Sequence, residues 1–104
     1  MSAPHIPEQR APLRLTGRLD ASAVPDLDAR LKAEFDAGVI DLVLDLGETV
    51  YVSTSILRSL LLAHRRQQTR GGGITLAHVP PRIRRILHLC GFDCVFRLAE
   101  PDGR

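Results

Sequence analysis

Three consecutive hydroxyl residues, Ser53, Thr54 and Ser55, stand directly before an apolar run, where a hydroxyl can accept hydrogen bonds from the free amides that open a helix. Few other side chains offer chemistry. Cys90 and Cys94 are the only cysteines, and their CGFDC spacing is neither a redox CxxC nor half of a zinc site, because no second cysteine pair exists. They read as core or chance cysteines. His5, His64, His78 and His88 are scattered, so a metal site would require the fold to gather them. Gly71, Gly72 and Gly73 are followed by neither the lysine nor the hydroxyl of a phosphate-cradling loop and read as a turn. There is no nucleophile elbow, no catalytic carboxylate pair at a recognisable spacing and no dinucleotide fingerprint. The chain is therefore not read as an enzyme, and no cofactor or metal is expected.

The frame for these residues is one small domain. The chain has 104 residues, 44% of them hydrophobic, enough for a single core but not for two. Net charge is +2, unevenly spread: residues 1–48 hold five basic and nine acidic groups, residues 49–104 nine and three. The basic half is built from short pairs, Arg65/Arg66 and Arg84/Arg85, which read as solvated helix faces, and so direct nucleic-acid binding is not expected. Three Phe, one Tyr and no Trp leave little for stacking bases. Neither a signal-peptide stretch nor a membrane-spanning run is present, so the expected location is the cytoplasm, without membrane insertion. Residues 1–11 and 100–104 are Pro-rich or turn-like and are expected to be flexible segments around a domain at 12–99.

Hydrophobic periodicity supplies the elements. Leu13 to Gly17 alternates as a short strand. A helix follows GRLDAS, with Ser22 as its expected cap, Pro25 in its first turn, Val24, Leu27, Leu31 and Phe35 along one stripe, and Gly38 at its end. Val39 to Leu46 reads as a buried central strand, and Gly47 to Val52 as a turn with a short extended entry. A second helix runs from the hydroxyl triplet to about Thr69. Ile74 to His78 forms a strand, and Pro80 and Pro81 open a third helix carrying Ile83, Ile86, Leu87 and Cys90 inward. Gly91 stops it, and Val95 to Leu98 adds an edge strand. Alternating strands and helices require crossovers, hence an α/β layer with a mostly parallel sheet.

On the second helix, 100° steps place Ile56, Leu57, Leu60, Leu61 and Ala63 on one side. Thr54, Ser55, Arg58, Ser59, Arg65, Arg66 and Thr69 fall on the other. Leu62 breaks the pattern by lying amid the polar side.

The chain's order, with GRLDAS after the first strand, LVLDL in the central one, then VYVSTSILRSLL and RGGGITLAHVPPRIRRILHLCGFDCVF, resembles the STAS domain of bacterial anti-sigma factor antagonists over residues 12–98. The resemblance implies a small α/β fold with a four- to five-stranded, mostly parallel mixed sheet and three or four helices. It implies a regulator of transcription that releases a sigma factor by binding a kinase of the ATP-using type, the anti-sigma factor, as a monomer or weak dimer. In that family the first hydroxyl residue after an Asp in the turn before the second helix is phosphorylated, and that position here is Thr54. Ser55 and Leu57 match the residues that follow. Ser53 stands where the family has Asp and Ile56 where it has Gly, which opens a second assignment, an unphosphorylated STAS accessory subunit bound to a transporter ATPase. Asp20 matches an acidic residue at the end of the family's first strand. Asp20, Ser53, Thr54, Ser55, Arg58, Ser59 and Leu62 are thus the expected partner-binding residues, with Leu62 as apolar anchor and Arg58 supplying charge.

Overall fold

The computed structural model describes residues 12–99; the expected flexible segments, 1–11 and 100–104, lie outside them. Strand β1 (Leu13–Leu19), helix α1 (Val24–Asp36), strand β2 (Asp41–Val52), helix α2 (Thr54–Gln68), strand β3 (Gly73–Ala77), helix α3 (Pro81–Leu89) and strand β4 (Arg97–Leu98) alternate along the chain. Single 3₁₀ turns lie at Ala21–Ala23 and Phe92–Cys94. The strands form one sheet in the order β1-β2-β3-β4, every pairing parallel, so four parallel strands and three helices make the α/β architecture expected.

Strand β2 lies inside the sheet, and its Leu42, Leu44 and Leu46 are buried while Asp41, Val43 and Asp45 keep more exposure. Those leucines join Leu27 and Leu31 of α1, Ile56, Leu57 and Leu60 of α2, Ile74 and Leu76 of β3, and Ile83 and Leu87 of α3 in one apolar cluster. Burying each such side chain contributes about 1.5–3 kcal/mol. The helices are therefore fixed against the sheet, and their starts at the carboxyl ends of the strands are held with them.

Several sequence expectations are corrected. β2 continues to Val52 instead of turning at Gly47, because two bulges absorb the local irregularity. Asp45 Oδ1 accepts the Gly47 N–H at 2.8 Å, Thr49 Oγ1 donates to the Leu15 carbonyl at 2.7 Å in a buried contact, and pairing to β1 resumes on either side. β1 extends to Leu19. The cap before α1 is Asp20, not Ser22: the aspartate accepts from the Ser22 N–H and opens the 3₁₀ turn that runs into the helix. Cys90, expected inward, is exposed, because α3 ends at Leu89 and Gly91 turns the chain away at φ +79°. The last strand is only two residues long, since the 3₁₀ turn and the inward Phe96 take up the residues before it.

The glycine run does more than turn the chain. A Cβ on Gly72 would collide with the Ile40 carbonyl, and one on Gly73, already in β3, would lie 2.8 Å from the His64 ring. Gly72 thus lets the turn before β3 close on the segment before β2, and Gly73 lets β3 close on α2. Two buried polar residues of α2 complete the seam. Gln67 Nε2 donates to the carbonyls of Val39 at 2.8 Å and Ile40 at 2.6 Å, and His64 Nδ1 accepts the Ile74 N–H at 2.9 Å. Neither role is visible in a polar residue's type alone.

Candidate partner-docking site

The site forms where β1 and β2 end side by side. Leu19 pairs with Val52, and the Ser53 N–H donates to the Leu19 carbonyl at 2.9 Å, so Asp20 and the hydroxyl triplet leave the sheet together. Ser53 is half-buried with extended backbone, and its Oγ accepts the Ile56 N–H at 3.3 Å, capping α2. Thr54 becomes the first helical residue and is exposed. Ser55 is half-buried beside it.

Asp20 is exposed. Its carboxylate accepts from both the Ser22 hydroxyl, at 2.5 Å, and the Ser22 amide, at 3.1 Å. Those hydrogen bonds, helped by the charge of Arg18, hold its carboxyl below the usual carboxylate range. One pair back along the strands, the Arg18 guanidinium lies 4.5 Å from the centre of the Tyr51 ring. Arg18 and Tyr51 border the site and were not singled out from sequence; their parallel pairing in the sheet is what brings them together. The bulge residue Val50 also points into solvent.

Along α2, Thr54, Arg58 and Leu62 follow at intervals of four and are all exposed, with Leu62 keeping 56% of its surface in solvent. A polar strip with one apolar side chain therefore runs from the capped start down the outer face. Ser59 does not belong to it. It is only 8% exposed, because α1 packs against that side of α2: the Arg66 guanidinium, two turns further on, lies over the Phe35 ring of α1 at 5.2 Å. The 100° steps were right, but the covered arc is wider than apolar residue types alone indicate.

Nothing in this arrangement is a nucleophile aligned with a base. Among the described residues no group of three or more His, Cys, Asp or Glu side chains is placed to hold a metal ion. No helix among them is long and apolar enough to cross a membrane.

Comparison with known proteins fits this geometry. The family model described as Mlab, STAS domain, matches residues 2–98. The chain belongs to the STAS domain family. A STAS relative, BtrV of Bordetella bronchiseptica, carries the name of an anti-sigma factor antagonist; it is 32% identical over 86 residues, covering 83% of this chain and 74% of its own. Among solved structures, one from Thermotoga maritima, titled as an anti-sigma factor antagonist, superposes with a TM-score of 0.76 at 15% identity, covering 86% of this chain and 79% of its own. The phosphorylated form of the Bacillus cell fate determinant SpoIIAA superposes at 0.64 with 21% identity, over 86% of this chain and 81% of its own. At such identities the structural likeness speaks for the STAS fold.

Proposed function

We propose that this STAS domain is an anti-sigma factor antagonist, docking through Asp20, Ser53, Thr54, Ser55, Arg58 and Leu62 onto an anti-sigma factor of the ATP-binding serine-kinase type. It is released from that partner by phosphorylation of Thr54. The observation that carries this is the exposed Thr54 hydroxyl at the first position of a capped helix, on one strip with the exposed Leu62. A phosphate there adds nearly two negative charges where unpaired amides and the helix dipole favour an anion, so the fold tolerates it. The same charge and its hydration spoil a docking face built around one leucine. The switch is local and is read by the partner.

The name carried by BtrV supports an anti-sigma factor as the partner. Ser53 and Ile56, standing where the resemblance leads one to expect Asp and Gly, favour a second function, an unmodified accessory subunit on a transporter ATPase. Co-purification from the native cell with intact-mass measurement separates the two. A kinase-like anti-sigma partner together with a phosphate on Thr54 is the expected result. A stoichiometric complex with a transporter ATPase and no added mass would replace the first function by the second.

A further inference from the structure

We propose that the groove between α3 and β4 is a second protein-docking site, which takes an acidic, partly apolar segment of a partner protein. The groove encloses about 510 Å³, and α3 supplies Arg82, Arg84, Arg85 and His88 to one wall. Helix α3 reads PRIRRILHL and contains no carboxylate. The acid across the groove, Asp93, is already bound to His88 Nδ1 at 2.7 Å. The three guanidinium groups have no ion-pair partner among the described residues. They line the open groove as positive charge that no carboxylate of the described residues pairs with, and the amino end of the α3 dipole adds to it.

The walls decide the class of ligand. Leu98 closes the groove at β4, and Pro81 adds apolar surface at the start of α3. No Phe, Tyr or Trp lines the groove, so a nucleobase would find only the His88 ring, already tied to Asp93, and guanidinium planes to stack on. A bare phosphate would engage the arginines and leave Leu98 and Pro81 in water. A segment alternating carboxylates with aliphatic side chains uses both, its carboxylates meeting guanidinium forks in paired hydrogen bonds. None of the α2 docking residues is involved, so the two sites stand or fall separately.

The test is fluorescence anisotropy of the full chain with a fluorescein-labelled peptide of repeating Glu-Leu-Asp-Leu. Saturable binding that weakens markedly between about 50 and 500 mM NaCl is expected. Arg82→Gln/Arg85→Gln should bind about tenfold more weakly, with Arg85→Gln alone as the fallback if the double variant loses its circular dichroism signal. Lys32→Gln/Arg65→Gln, an equal change of charge on other helices, should stay within about twofold. Absence of binding, or equal weakening in both double variants, would overturn the proposal. So would tighter binding of inorganic phosphate or of a single-stranded oligonucleotide. Glu100→Gln/Asp102→Asn binding the peptide about tenfold tighter would also overturn it, by showing that the chain's own acidic end fills the groove.

Discussion

At the residue level, a threonine at the first helical position and a histidine in the core respond to charge in opposite ways. Thr54 lies where an anion is favoured, so Thr54→Glu should leave the thermal midpoint unchanged or raise it slightly, a dipole effect of about 0.3–1 kcal/mol, while partner binding falls. Thermal denaturation of the variant beside the wild type checks the first half. His64 is buried, with Nδ1 accepting from Ile74 and its ring edge-on to Phe96 at 5.4 Å. Burial, and then the charge of Arg97, push its pKa below the ordinary 6.5. The unfolded chain therefore takes up a proton that the folded chain refuses, and stability present above the unfolded value is lost as pH falls through and below about 6.5. Urea denaturation at pH 7.5 and 5.5 should show lower stability at the acid value. His64→Asn keeps an acceptor for the Ile74 amide without an ionisable group and should remove most of the difference. An undiminished difference in that variant would assign the effect elsewhere.

At the level of elements, the start of α2 depends on Ser53, and Ser53→Ala should cost about 0.5–2 kcal/mol, read from the denaturation midpoint. Ser53→Asp supplies an equally good cap and should leave that midpoint nearly unchanged. Elements with a repeating pattern were legible in the sequence: the leucine stripe of α1, the apolar side of α2 with Leu62 as its exception, and the β-branched stretch of β2. What escaped depends on contacts between elements. Gly47 signals a turn by type, yet β1 running alongside converts the irregularity into bulges. Ser59 is polar by type, yet α1 covers it. Gln67 and His64 look like surface residues until the loop before β2 and the open start of β3 are seen to need a donor and an acceptor. In the candidate site, Asp20 and the hydroxyl triplet were found from motif order, whereas the Arg18–Tyr51 pair exists only through strand pairing.

Taken as a whole, the molecule is a single buried cluster carrying an exposed strip that contributes little to holding it together. Leu44→Ala, inside that cluster, should cost about 2–5 kcal/mol, whereas Leu62→Asp, on the strip, should shift stability by no more than about 0.5 kcal/mol. This separation makes docking testable without confusion from unfolding. The most direct measurement is calorimetric titration of the co-purified partner with wild type, Thr54→Glu and Leu62→Asp, each shown to be folded. Wild type should bind, and each variant should bind at least about tenfold more weakly, a loss of about 1.4 kcal/mol or more. Wild-type affinity in both variants would contradict the claim that the outer strip of α2 is what the partner grips.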